Sequence, residues 1–155
     1  LLPHRLKVVA ERGGVRFWND SKATNFHATL AALRSIDRPI VWIGGGRAKG
    51  GDVEAFAQQV GLQVNMAVLY GEVAGRLARA LKGSLESVHV YECFDHAITA
   101  AAEFAAKVPH ANVLLSPGFA SYDQFDSFDA RGKNFNDMVL SLKNARKSSY
   151  SHLIE

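Results

Sequence analysis

The chain has 155 residues, 48% of them hydrophobic and 21% charged, with a formal charge of +3. That length and mix describe one ordinary globular domain with room for a sizeable core. No run reaches the roughly 18 apolar residues of a membrane span, and the basic residues are scattered rather than striped, so neither a membrane nor a nucleic acid is expected as a partner, whereas an anionic small ligand is.

In chain order, two strand-like runs flank Gly13-Gly14 within residues 6–18, the pattern of a β-hairpin. A helical pattern follows over about 26–36, then the apolar run Pro39-Ile40-Val41-Trp42-Ile43, which stops at Gly44-Gly45-Gly46. A helix near 52–60, an apolar run over 65–70 and a helix over 73–81 come next. Then come a strand at Val88–Tyr91, a helix over 97–107, a strand at Val113-Leu114-Leu115 and a last helix over about 128–143, ahead of a polar, loose tail at 146–155. Short apolar strands alternating with amphipathic helices predict an α/β fold: a Rossmann-like three-layer domain, with a mostly parallel sheet, helices on both faces and the hairpin at its N-terminal end. In such sheets ligands bind beyond the carboxyl ends of the strands. Three polar or glycine-rich clusters fall at such ends, residues 19–25, 44–51 and 116–125, and the topology predicts that they share one rim.

The first cluster, Asn19-Asp20-Ser21-Lys22-Ala23-Thr24-Asn25, places a cation, hydroxyls and backbone N–H donors between a strand and a helix start. One N-cap residue would suffice for structure; four polar groups suit a phosphate or carboxylate. The second, Gly44 to Gly51, is not a self-sufficient nucleotide loop. A Walker A loop and a dinucleotide fingerprint starting at Gly44 both require glycine at position 49, where the chain has Lys49. Lys49 on a glycine-flexible loop is instead a mobile point charge for a carboxylate, against the plainer reading of a strand-to-helix turn. In the third, Ser116 is a natural N-cap with Pro117 in a first helical turn. Ser121, Asp123 and Gln124 behind it, with Phe125 and Phe128 as walls, are more than capping needs.

Other residues carry less. His4-Arg5 offers a phosphate donor or an exposed arm. The histidines at 27, 89, 96, 110 and 152 lack metal-ligand spacing, so no metal site is expected. Asp126, Asp129 and Arg131 read mainly as a solvated helix face, with Arg131-Gly132 a candidate for shaping the turn behind the aromatic wall. Cys93 is alone, so no disulfide framework staples the domain; a single thiol fits a reducing compartment and reads as a buried small hydrophobe.

Taken together, Asn19 through Asn25, Gly44-Gly45 with Lys49 soon after, Leu114-Leu115-Ser116-Pro117 through Ala120-Ser121 and Asp123-Gln124-Phe125, then Phe128 and Arg131-Gly132 resemble the C-terminal domain of the D-glutamate-adding Mur ligases (UDP-N-acetylmuramoyl-L-alanine–D-glutamate ligases). The likeness runs over about residues 3–143 with the motifs in order. Related Mur ligases and folylpolyglutamate synthase usually carry an Asp-Tyr-Ala-His-x-Pro-like segment where this chain has Asn-Asp-Ser-Lys-Ala-Thr-Asn. Phe119 and Tyr122 depart from the family's usual small residue and leucine.

The resemblance implies a substrate-binding, closing domain over residues 1–145, with 146–155 a tail, of a bacterial cytoplasmic enzyme of peptidoglycan synthesis. ATP phosphorylates the carboxylate of UDP-N-acetylmuramoyl-L-alanine, and the amine of D-glutamate displaces phosphate from the acyl phosphate. By position, Thr24 and Lys49 would hold the side-chain carboxylate of D-glutamate, Ser121 and Tyr122 its other carboxylate, and Phe128 would pack over it. Arg5, Asp20 and Lys22 would face the nucleotide. ATP and Mg2+ would be bound mainly by a central ATPase domain that, like the N-terminal UDP-binding domain, these residues do not contain; the two domains would be partners in a full-length chain. A start at Leu1 without methionine or a signal-peptide pattern fits a fragment, inactive alone. Two alternatives remain open: a stand-alone Rossmann-like module for a nucleotide or anionic metabolite, and a domain that only mediates contacts.

Overall fold

The computed structural model describes residues 6–121, 125 and 127–154. Among them the chain forms β1 (Lys7–Arg12), β2 (Val15–Asn19), α1 (Phe26–Arg34), β3 (Ile40–Gly45), α2 (Val53–Gly61), β4 (Met66–Tyr70), α3 (Ala74–Leu81), β5 (Val88–Tyr91), α4 (Phe94–Ala105), β6 (Asn112–Gly118) and α5 (Phe128–Ile154). The six strands make one sheet in the order β1-β2-β6-β3-β4-β5. The hairpin is antiparallel and every other pairing parallel. Gly13 and Gly14 form its two-residue turn, with φ of 58° and 81°, values that cost glycine least.

The central strands are apolar on both sides because both sides are covered. Ile40, Trp42, Leu69 and Leu114 face one core with Leu33 of α1, Phe56 of α2 and Leu77 of α3. Val41, Ile43, Val68 and Leu115 face the other with Ile98 of α4 and Phe135 of α5. This produces continuous apolar runs rather than strict alternation.

Four sequence readings need correction. Ser116 caps no helix: Ser116 to Gly118 belong to β6. The strand tolerates Pro117, which lacks an N–H, because its register with β3 shifts between Ile43 and Gly45. Gly44 and Gly45 lie in strand β3 rather than in the loop, paired with Leu69 and Tyr70 of β4. The helix expected over 97–107 begins at Phe94 and ends at Ala105, its N-terminal residue Phe94 being 1% exposed in the core. The last helix does not stop near 143 but runs to Ile154, since no glycine or proline follows Gly132 to break it.

Candidate functional site

The three polar clusters do meet at one rim. β2, β6 and β3 are neighbours and run parallel, so their carboxyl ends lie together. From β2 and β3 the chain turns to α1 and α2 over one face, whereas from β6 it passes to α5 over the other. Divergence of connections at adjacent strands opens a crevice, here at the end of β6. Backbone bonds close the rim: Gly118 N–H donates to Ala23 O (2.8 Å), Arg47 N–H to Ala120 O (2.9 Å) and Gly46 N–H to Tyr70 O (3.3 Å).

The first cluster divides its labour. Asn19 is 1% exposed and its amide nitrogen donates to Gly132 O (3.0 Å) and Asn136 Oδ1 (2.7 Å). Asp20, 5% exposed, accepts from Leu6 N–H at Oδ1 (3.1 Å) and from Ser116 Oγ at Oδ2 (2.8 Å). Asn25 is the N-cap of α1, its side chain accepting from Ala28 N–H (2.9 Å). Lys22 and Thr24 are half-buried; Lys22 Nζ stands 5.3 Å from the centre of the Phe128 ring. Asp20, Lys22, Thr24 and Asn25 line an open cleft of about 460 Å³ that continues along Ala28 and Ala31 of α1.

Lys49 lies outside that cleft wall and beside it. Its Nζ donates to Thr24 O (2.8 Å) and Gly118 O (2.9 Å), and sits 4.5 Å from the Phe26 ring centre and 5.2 Å from that of Phe119. An ammonium has three donors, and two are used. The ion pairs among the described residues are Glu11–Arg16 and Glu54–Arg76, so no described carboxylate meets Lys49. Burial without a counter-charge lowers its pKa below the usual lysine value. Phe119 is fully buried behind it against Phe26 (5.4 Å) and Phe56 (6.0 Å).

Arg131 overturns its sequence reading most sharply. It is 0% exposed, not part of a solvated face. Its Nε donates to Ser21 Oγ (3.2 Å), Nη2 to Ser21 O (3.0 Å), and Nη1 to Phe119 O (3.0 Å) and Tyr70 Oη (3.3 Å). Ser21 Oγ in turn donates to Phe128 O (2.8 Å). A signal was available: Arg131, Phe135 and Val139 recur every four residues on the buried stripe of α5.

Of the residues assigned by sequence, the structure brings Thr24 to Lys49 and Lys22 to Phe128. Ser121, 3% exposed, follows Ala120, which is bonded to the glycine loop through Arg47. Asp20 reaches the cleft with both carboxylate oxygens already bonded. Arg5 and Tyr122, with His4, Asp123, Gln124 and Asp126, lie outside the described residues. Cys93, expected to be buried, is partly exposed at the start of α4. Among the described residues no group of three His, Cys, Asp or Glu side chains is placed to hold a metal ion, and no helix is long and apolar enough to cross a membrane.

A Rossmann-like α/β domain with a cleft at the divergence of its strands has its crevice where open α/β sheets bind ligands, and here a lysine stands beside it. The family model described as "Mur ligase, glutamate ligase domain" matches residues 4–119. The chain belongs to that family. It is 44% identical over 141 residues, 90% of its length, to the UDP-N-acetylmuramoylalanine–D-glutamate ligase of Pelotomaculum thermopropionicum, and 42% identical over 150 residues, 96% of its length, to that of Rhodospirillum rubrum. It spans 30% and 31% of the length of those relatives. Among solved structures, the fold matches Mycobacterium tuberculosis folylpolyglutamate synthase complexed with ADP and AMPPCP, with a TM-score of 0.66 and 16% identity over 87% of this chain and 32% of that one. It also matches MurF from Acinetobacter baumannii, with a TM-score of 0.58 and 15% identity over 84% of this chain and 30% of that one. Those two likenesses concern the fold alone.

Proposed function

We propose that these residues are the substrate-binding and closing domain of an ATP-dependent ligase that adds D-glutamate to UDP-N-acetylmuramoyl-L-alanine in the bacterial cytoplasm, a step of peptidoglycan synthesis. The observation that carries this reading is Lys49: a partly buried ammonium fixed by two carbonyls, with one donor left and no described acid beside it. A ligand carboxylate supplies the missing counter-charge, and a charge-assisted bond of that kind contributes about 1.5–3 kcal/mol. The names of the relatives support D-glutamate among carboxylate ligands.

In this reading Lys49 and Thr24 hold the side-chain carboxylate, Ser121 and Tyr122 the other, and Phe128 shields the pair from water. D-Glutamate then presents its amine toward the acyl phosphate of the second substrate, and fixing that approach is the domain's contribution to rate. Lys22 and Arg5 face the nucleotide across the cleft, while Asp20 orders its wall through Leu6 and Ser116. ATP supplies the phosphoryl group that activates the acceptor carboxylate. ATP and Mg2+ are held mainly by a central domain, and residues 1–145 close over it. The 155 residues alone form no amide bond.

The test is Lys49→Ala in the full-length enzyme. The expected result is a KM for D-glutamate raised about 10- to 100-fold, the loss of one buried charge-assisted contact. An unchanged KM removes Lys49 from the site. Appreciable ligase activity of the 155 residues by themselves contradicts the division of labour between domains.

A further inference from the structure

We propose that Arg131 is a positioning residue that sets the span between the two halves of the carboxylate clamp, and thereby selects a dicarboxylate of glutamate's length. This rests on the function proposed above and extends it to a residue that touches no ligand.

The guanidinium bonds segments that each lead to a ligand-facing group. Ser21 stands three residues before Thr24, and Phe119 two residues before Ser121. Both Ser21 O and Phe119 O are held by the one guanidinium, at 3.0 Å each. Ser21 Oγ bonds the carbonyl of Phe128, the first residue of α5, so the circuit returns to the helix that carries Arg131. Thr24, Ser121 and Phe128 are thus tied through backbone to a single planar group.

Two features separate this from plain scaffolding. The acceptors that receive the guanidinium are carbonyl and hydroxyl oxygens, without a carboxylate among the described residues, although burying an uncompensated charge is costly. An apolar side chain would fill the same space without that cost, but it would leave the Ser21 and Phe119 carbonyls without this donor and would not fix the separation of two loops. Guanidinium donors have a rigid fork geometry, unlike the rotatable donors of an ammonium. Moreover, the tie is completely buried, where bonds lost to relaxation are not replaced by water. The span therefore has one setting.

The test uses the full-length enzyme with Arg131→Lys, which keeps the charge and loses the fork, and Ser21→Ala, which removes the hydroxyl link to Phe128. The KM for D-glutamate is expected to rise about tenfold in Arg131→Lys, with kcat at saturation and the KM for ATP within about twofold. The preference in kcat/KM for D-glutamate over the one-methylene-shorter D-aspartate is expected to fall about tenfold. Ser21→Ala should move both quantities in the same direction by less, and it decides the matter if the arginine variant does not fold. A merely structural role would lower thermal stability and the active fraction but leave KM and the D-glutamate preference at parental values in Ser21→Ala and in any folded Arg131→Lys; that result overturns the proposal. If the parent enzyme does not use D-glutamate at all, the proposed function fails first and this inference with it. If it does and only the selectivity is unmoved, the positioning role alone fails.

Discussion

The glycine loop carrying Lys49 and the first turns of α5 carrying Arg131 bring two cations to the same rim, yet the fold treats them in opposite ways. Arg131 is completely buried, with neutral oxygens around its fork. Lys49 is partly exposed, bonded to two carbonyls between two rings, with one donor uncommitted. A fully buried cation held on several sides by fixed carbonyl and hydroxyl oxygens orders its surroundings; a partly exposed one with a donor uncommitted is open to a ligand. On the function proposed above, the contrast separates a residue that orders the site from one that would hold the substrate.

The sharpest way to break this distinction is to exchange the consequences of losing each cation. Arg131→Met should destabilise the domain by about 3 kcal/mol or more, because it orphans buried carbonyls of Ser21 and Phe119. Urea unfolding measures it, and a loss below about 1 kcal/mol would show that the rim does not depend on this residue. Gly45→Ala comes next, at about 2 kcal/mol, since φ is 137° there and a Cβ would be driven into the Tyr70 carbonyl. Thermal unfolding checks that value.

Lys49 should register in binding rather than in folding, and pH sharpens the point. Burial lowers its pKa, so the folded state gives up this proton more readily than the unfolded chain does. The Lys49 charge is lost as pH rises toward the usual lysine value, earlier than for an exposed lysine. The KM for D-glutamate should be flat through neutrality and climb in the alkaline range, while Lys49→Arg delays that climb. Over the same alkaline window stability should drift upward, because the unfolded chain then binds more protons than the folded one. A KM that stays flat as far as an exposed lysine would titrate contradicts the buried, unpaired ammonium. The smallest effect is expected at Arg76→Ala, whose partner Glu54 is exposed (side chains 45% and 55% exposed). Its melting temperature should match the parent's within error.

The fold was largely legible because the central strands β3, β4 and β6 are buried on both faces and the helices chiefly on one, so periodicity and run length report the layers directly. The Gly13-Gly14 turn and the common rim of the three clusters followed from the same pattern. Strand order was not legible: nothing local in Val113-Leu114-Leu115 says that β6 inserts between β2 and β3. Ser116-Pro117 looked like a helix start because proline's strand role depends on a register shift in its neighbour. Arg131 was hidden by its company, since Asp126 and Asp129 suggested a charged surface, whereas its spacing to Phe135 and Val139 pointed inward. In Asn19 to Asn25 the sequence showed that more than capping was present. It did not show that Asn19 and Ser21 bind the fold, that Asp20 does so from the cleft wall, and that Lys22 and Thr24 line the cleft beside it.

The most direct test of the clamp is an amide chemical-shift titration of the 155-residue chain with millimolar D-glutamate, with L-glutamate as the control. The expected result is a set of D-specific shifts at Thr24, Lys49, Gly118 and Ser121, absent in Lys49→Ala. Shifts centred on the opposite end of the sheet, around Arg16, Arg38 and His110, or equal for the two enantiomers, would contradict it.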